Sequence, residues 1–368
     1  MLPELHLVAA ARPNLPKLAA LWHALNAGEP FCKPVLLHTG QHEDPAMFGA
    51  HLSDLGLPVP HIALGVSGGS HAVLTGRSMI ACETAWLARR PSMVVVAGDV
   101  DGALAAALAA RKLGLPVIHL EAGLRSGERN LPEEINRRAM DAIADILWAP
   151  DEVTASRLRR EGHAPGAVRA VGNAMVDTLL RHLPAARAKR LPRGLTRGGF
   201  GLVTLHRAGN VDDPERLIAL LDALSAAARL LPLIWPIHPR AAKKISAFGF
   251  VPPSGVRITP PLRYLEFLSL MSRARLVATD SGGVQEEAAA LGLPCLTLRR
   301  ATERPITIAA GGNRLVKPEE LPQAVAEVLA APPRPGRPIP LWDGRAGERM
   351  RDHLMELMDH DTCRAMVT

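Results

Sequence analysis

The chain has 368 residues, 48% of them apolar and 21% charged, with a formal net charge of +7. That is an ordinary globular balance, and the length suits two cores, because domains commonly hold about 100–200 residues. The apolar stretch from Met93 is broken by Asp99 and Asp101 and the next by Arg111 and Lys112, which argues against a membrane span.

Nucleic acid is a poor fit to the same numbers. Basic residues are scattered, apart from a cluster from Arg187 to Arg197, and aromatics at 3% leave few stacking platforms. The positive surplus suits a small polyanionic ligand instead. Cys32, Cys82, Cys295 and Cys363 form no CxxC pair and read as buried free thiols of a reducing cytosol. Glu4 falls early and the apolar run Leu7–Ala11 is short, so no signal peptide is expected and the location read is cytoplasmic.

In chain order, Leu5–Ala9 reads as a strand and Leu15–Asn26 as the helix after it. Val35–Leu37, Met93–Ala97 and Val117–Leu120 are apolar at consecutive positions, as buried parallel strands are. The helical segment Ala103–Leu113, closed by Gly114, completes a βαβ unit. Pro132 opens a further helix whose apolar face is expected to be Ile135, Ala139, Ile143 and Leu147.

Leu183–Gly199, rich in Pro, Gly and basic residues, reads as a connector between domain 1–182 and domain 200–340. The second domain repeats the pattern, with strands at Leu202–Leu205, Leu233–Ile237, Val256–Ile258, Leu276–Ala278 and Pro294–Leu298. After a Pro-rich break at Pro332–Pro340 comes a last helix, about Gly344 to Met358, within a segment 341–368 expected to pack back on the first domain. The fold class is α/β: two Rossmann-like doubly wound domains facing a central cleft, with ligands at the carboxyl ends of the strands.

Charged residues that end apolar strands are the candidates for chemistry. Asp99 and Glu121 each follow one directly, and Glu133 and Glu134 begin the helix behind Pro132. Helix-dipole stabilisation alone explains the last two. Carboxylates converging on one cleft would raise one another's pKa values and titrate as a coupled set able to remove and supply a proton. His206 and His238 end two strands of the second half, where a packed, hydrogen-bonded histidine is the simpler reading.

In Asp280-Ser281-Gly282-Gly283-Val284-Gln285-Glu286-Glu287 a strand turns through small residues into a helix. Bare backbone N–H groups there can hold a phosphate, and Glu287 sits one turn in, placed to accept from a ribose. An ordinary capped helix start is the alternative. Arg12 and Lys17 after the first strand, and Arg304 after Pro294–Leu298, are surface cations or phosphate partners. No P-loop or dinucleotide fingerprint occurs.

Taken in order, these segments resemble the non-hydrolysing UDP-N-acetylglucosamine 2-epimerases. The likeness rests on Ala11-Arg12-Pro13-Asn14, Thr39-Gly40-Gln41-His42, Gly98-Asp99, Glu121-Ala122-Gly123-Leu124-Arg125 and Pro132-Glu133-Glu134-Ile135-Asn136-Arg137. It continues through Thr204-Leu205-His206-Arg207, Asp280 to Glu287, Thr302-Glu303-Arg304-Pro305 and Leu341-Trp342-Asp343-Gly344.

The resemblance implies a glycosyltransferase-B-like fold and a reaction that eliminates UDP to a 2-acetamidoglucal and adds it back after C2 inversion. It implies Asp99, Glu121 and Glu133 for proton transfer and His206 beside the leaving pyrophosphate. It also implies Arg12, Ser281, Gly282, Gly283, Glu287 and Arg304 for the nucleotide, with Lys17 among the substrate-binding groups and Phe267 near the uracil. The substrate expected is a UDP-amino sugar, with no cofactor, no metal, no nucleic acid or membrane partner, and a homodimer by analogy. A hydrolysing 2-epimerase, a glycosyltransferase and a non-catalytic nucleotide-sugar-binding protein remain as alternatives. Asp101-Gly102-Ala103, Gly127-Glu128-Arg129, Ala208-Gly209-Asn210 and Ile306 depart from the pattern, so the sugar's substituents stay open.

Overall fold

The computed structural model describes residues 2–40, 45–331 and 336–358; Gln41, His42 and Cys363 lie outside them. The chain divides into two units. One takes the described residues up to Arg181 and again from Pro340, and the other is His182–Ile339.

The first unit alternates strand and helix: β1 (Glu4–Ala9), α1 (Asn14–Leu25), β2 (Lys33–His38), α2 (Pro45–Leu55), β3 (Ile62–Ala63), α3 (His71–Ala88), β4 (Met93–Ala97) and α4 (Asp101–Lys112). It continues with β5 (Val117–Leu120), α5 (Pro132–Ile143), β6 (Ile146–Ala149), α6 (Glu152–Arg160), β7 (Val168–Ala170) and the first part of α7 (Ala174–Ala188), which belongs to the second unit from His182 on. The seven strands are parallel in the order β3-β2-β1-β4-β5-β6-β7, with Leu7 opposite Leu36 and Val95, and Ala97 opposite Leu120. Helices on both faces explain the apolar strands: Val94, Val95, Val96 and Ala97 are wholly buried. Ala103, Ala106, Ala107 and Ala110 of α4 share one core cluster with Cys82 and Trp86 of α3, their small side chains letting the helices approach closely.

The helix from Pro132 differs from its expected pattern. It stops at Ile143, Leu147 belongs to β6, and Ile135 is 54% exposed. The buried face carries Glu134, Asn136, Arg137, Met140 and Asp141. Charge is buried there because each of those polar groups has a partner, which apolar periodicity does not register.

The second unit holds β8 (Gly201–Thr204), α8 (Ala208–Val211), α9 (Pro214–Ala228), β9 (Leu233–Pro236), α10 (Pro239–Ala247), β10 (Val256–Thr259), α11 (Tyr264–Met271) and β11 (Leu276–Thr279). It ends with α12 (Gly282–Leu291), β12 (Cys295–Thr297), α13 (Pro305–Ala309), β13 (Asn313–Leu315) and α14 (Leu321–Ala330). Its six strands are parallel in the order β10-β9-β8-β11-β12-β13. Asp213 caps α9 by accepting from the Glu215 and Arg216 amides, with Pro214 at the first position, where a missing N–H costs nothing. The expected connector is partly helical: α7 runs on to Ala188, and Ala186 is fully buried.

The last helix, α15 (Ala346–Met358), belongs to the first unit and packs on α1. A side chain at Gly347 would meet the Ala20 carbonyl at 2.5 Å, so glycine permits the approach. Asp177 Oδ2 accepts from the Gly347 amide at 2.7 Å, and Trp148 Nε1 donates to His353 Nδ1 at 2.9 Å. Among the described residues no helix is long and apolar enough to cross a membrane, and no group of three acidic, His or Cys side chains is placed to hold a metal.

Candidate active site

In the first sheet the strand order reverses between β1 and β4, the place where loops diverge and leave room for a ligand. Asn14, the first residue of α1, ties the two loops together. Its Oδ1 accepts from the Ala11 amide at 2.7 Å and its Nδ2 donates to the Ala97 carbonyl at 2.8 Å. One turn on, Lys17 pairs with Glu121 at the end of β5, both buried. Arg12 lies half-buried in the same loop.

Glu121 has φ +75°, a left-handed conformation that costs a non-glycine residue on the order of 1–3 kcal/mol. Two bonds to the Trp148 carbonyl hold it there, from the Glu121 amide at 3.1 Å and the Ala122 amide at 3.0 Å. Gly98 also has positive φ, and a Cβ on it would lie 2.9 Å from Asn14 Nδ2 and 3.1 Å from Lys17 Nζ. Glycine is what lets the lysine reach past β4 to Glu121.

Asp99 pairs with Arg137, whose other nitrogen donates to Glu134 Oε2 at 2.7 Å. Asn136 Nδ2 donates to the Asp99 carbonyl and to Asp101 Oδ1, each at 3.0 Å. Each of the two strand-end carboxylates thus has a cationic partner. Glu121 has Lys17 and Asp99 has Arg137, while Glu133 is exposed at the start of α5. Glu134 is structural: it accepts from the Ser126 amide at 2.9 Å and pairs with both Arg137 and Arg138.

The second sheet reverses between β8 and β11, and the same logic places a second cluster there. Asp280, wholly buried after β11, accepts from the His206 and Arg207 amides at 3.0 Å each and from Asn210 Nδ2 at 3.1 Å. His206 Nδ1 lies 2.9 Å from Asp280 Oδ1, which orients a ring whose side chain stays 39% exposed. Burial pushes the Asp280 carboxyl up, but His206 and the amide and Asn210 donors outweigh it and hold it below the usual range. His238 takes the simpler role: its ring caps α10, Nδ1 accepting from the Arg240 amide at 3.2 Å.

Next to this pair is a knot of arginines. Buried Glu303 binds Arg207 at 2.9 Å, Arg299 at 2.5 Å and Arg304 at 2.7 Å. Burial raises the Glu303 carboxyl, and the three guanidinium groups more than reverse that. Arg304 also lies 3.2 Å from Glu286 and against Gly282, where a Cβ would meet its guanidinium at 2.8 Å. Ser281 takes an extended conformation and makes no side-chain cap, so the first turn of α12, at Gly282 and Gly283, presents backbone N–H groups beside a cation.

Glu287 is buried one turn further and accepts from the Tyr264 hydroxyl at 3.1 Å. Burial lifts its carboxyl to about 7, with the Tyr264 bond opposing and Glu286 adding. Phe267 packs half-buried against the core cluster that includes Val284 and Leu270. A carboxyl raised on folding stabilises the folded state fully below its ordinary value of 4.5, and that contribution is lost as pH rises through about 7. Glu287→Gln, which mimics the protonated form, should equal the wild type in urea unfolding near pH 4.5. It should be the more stable by on the order of 2 kcal/mol at pH about 8.

A family profile described as UDP-N-acetylglucosamine 2-epimerase matches residues 24–355. This chain belongs to that family. A UDP-N-acetylglucosamine 2-epimerase of Methanocaldococcus jannaschii is 38% identical over 360 residues, covering 94% of this chain and 97% of the relative. A UDP-2,3-diacetamido-2,3-dideoxy-D-glucuronate 2-epimerase of Pseudomonas aeruginosa is 39% identical over 84% of this chain and 87% of its own. The crystal structure of the M. jannaschii enzyme in complex with UDP-GlcNAc and UDP superposes with a TM-score of 0.88 at 37% identity, over 96% of this chain and 99% of that one. The glycosyltransferase-B-like fold expected from the sequence is that of these UDP-N-acetylglucosamine 2-epimerases.

Against this family background, several groups that shape the two clusters went unassigned in the sequence. Asp280 is a charge directly ending an apolar strand, the same signal that singled out Asp99 and Glu121. Arg137, Glu303 and Tyr264 end no apolar strand, and each has one partner, Asp99, Arg207 and Glu287 respectively, that comes from an element distant in sequence.

Proposed function

We propose that this family member interconverts UDP-N-acetylglucosamine and UDP-N-acetylmannosamine, or a close UDP-amino-sugar pair, by eliminating and re-adding UDP. The observation that carries the reading is the near end-to-end match to the M. jannaschii UDP-N-acetylglucosamine 2-epimerase. The bond from C1 to the UDP oxygen breaks with its electron pair leaving on UDP, and loss of the C2 proton gives the 2-acetamidoglucal. Proton delivery to the other face of C2 and attack of UDP at C1 complete the inversion.

The residues suit these steps. His206, held by Asp280, and Arg304 at the start of α12 would stabilise the charge building on the departing pyrophosphate. Ser281, Gly282 and Gly283 would supply backbone donors, Glu287 the ribose contact and Phe267 the uracil contact. Glu121 and Asp99, each beside a cation, would handle the proton together with Glu133, each contributing about 10²–10⁴-fold. Arg12 and Lys17 would complete the substrate set.

Proton NMR of the protein with UDP-N-acetylglucosamine in deuterated water tests this. Deuterium at C2 with an equilibrium of gluco and manno UDP-sugars is expected. Free N-acetylmannosamine with UDP would identify a hydrolysing enzyme. The Pseudomonas relative favours a second reading, in which the sugar carries two acetamido groups and a carboxylate. Exchange with that UDP-sugar and none with UDP-N-acetylglucosamine would establish it.

The working form proposed is a homodimer in the cytoplasm. Val73, Ile80 and Leu87 recur every seven residues on α3 and form an exposed apolar stripe, with Ile80 64% and Leu87 69% exposed. A second copy of the chain would cover it. Light scattering should give twice the chain mass, reduced to one chain mass in Ile80→Glu/Leu87→Glu; a monomeric wild type would refute the dimer. The buried free thiols Cys32, Cys82 and Cys295 suit a reducing compartment, and cell fractionation checks the location.

A further inference from the structure

One buried cluster of the first unit lies outside the groups assigned above. His119, wholly buried on β5, stands two residues before Glu121. Its Nδ1 is 2.7 Å from Asp141 Oδ1 and its Nε2 is 2.8 Å from the Gly98 carbonyl. Asp141 also accepts from the Gly123 amide at 3.1 Å and from Arg125 Nη1 at 2.6 Å, and Arg125 continues to Glu161 at 2.5 Å.

Both partners of the ring are acceptors. A backbone carbonyl never donates. Asp141 receives the Gly123 amide and the Arg125 guanidinium, both of which can only donate, so it too is an acceptor. A neutral imidazole has one N–H and one lone pair, and between two acceptors it would turn that lone pair against an oxygen. With N–H on both nitrogens, each oxygen receives a charge-assisted bond.

We infer that His119 is a positioning residue, held as an imidazolium, that fixes the backbone on both sides of the proposed proton-transfer groups. Through the Gly98 carbonyl it sets the peptide leading into Asp99. Through Asp141 it sets the Gly123 amide that follows Glu121. Both places need such a clamp, because Gly98 and Glu121 have φ of +74° and +75° at the ends of neighbouring strands. The inference rests on the proposed roles of Asp99 and Glu121.

The test uses the full chain with 15N-labelled histidine, correlating ring nitrogens with their hydrogens near neutral pH. The His119 signals are those missing from His119→Gln. Two protonated nitrogens on one buried ring are expected, and a neutral ring with one bare nitrogen would overturn the inference. Should His119→Gln fail to fold, the wild-type spectrum still decides, because such a ring stands apart from neutral histidines. Asp141→Asn removes the charge at nearly constant size. Its kcat should fall about 10²-fold, the cost of a misplaced reacting group, with UDP affinity unchanged. Wild-type kcat in a folded Asp141→Asn would also overturn it. A wild-type protein inert towards every UDP-sugar would count against the functional reading, while the spectrum would still rule on His119.

Discussion

Lys17→Met should destabilise the protein by about 3–5 kcal/mol in urea unfolding, the usual cost of removing one partner of a buried ion pair. Lys17 and Glu121 are both about nine-tenths buried, so water cannot replace the lost ammonium. The two bonds from Glu121 and Ala122 to Trp148 also hold the Glu121 backbone in place, in a left-handed conformation. Adding Glu121→Gln to Lys17→Met should recover much of the loss, because the buried charge is then gone. Glu121→Gln by itself should lower C2 deuterium exchange by about 10²–10⁴-fold, as expected for a group that moves the proton. A Lys17→Met variant as stable as the wild type would show that the pair is not buried in solution.

Asp280→Asn is the second large effect. The carboxylate takes four donors: the His206 amide and ring, the Arg207 amide and the Asn210 side chain. An asparagine has one acceptor oxygen and turns an NH2 towards donors that need an acceptor. Each buried donor left unmet costs about 1–3 kcal/mol, so thermal unfolding should shift down clearly. Turnover should fall by about 10²–10⁴-fold, because the ring of His206 loses the group that orients it. His206→Asn provides the contrast. Its side chain is 39% exposed and the carboxylate keeps its three other donors, so turnover should fall comparably while stability falls less than in Asp280→Asn. Equal destabilisation by both variants would mean that Asp280 serves the fold alone.

Strand-end charge is the signal in the sequence that points to the ends of β4 and β5. Asp99 and Glu121 each follow a run too apolar to tolerate an unpartnered polar group, and each lies at or beside a reversal of strand order, whereas His206 enters the site through the family resemblance. The same reasoning misjudged α5. Apolar spacing put Ile135 inward, whereas the structure buries Glu134, Arg137 and Asp141 and leaves Ile135 in solvent. Periodicity measures hydrophobicity, and a buried charge is stabilised by partners that periodicity cannot see. Four short strands carry no clear strand signal of their own: β3 has two residues, β6 continues the apolar run of the helix before it, and β7 and β13 are each centred on an arginine, Arg169 and Arg314.

By itself the sequence determined the alternation of strand and helix, the parallel sheets and the family, because apolar runs, helix caps and ordered motifs are local properties of the chain. Tertiary structure alone decided which charge meets which. Lys17 reaches Glu121 across 104 positions, Arg137 reaches Asp99 across 38, and His206 meets Asp280 across 74. Those pairings depend on strand order: the reversals between β1 and β4 and between β8 and β11 bring Lys17 near Glu121 and His206 to Asp280, while the neighbouring of β4 and β5 brings Asp99 to Arg137.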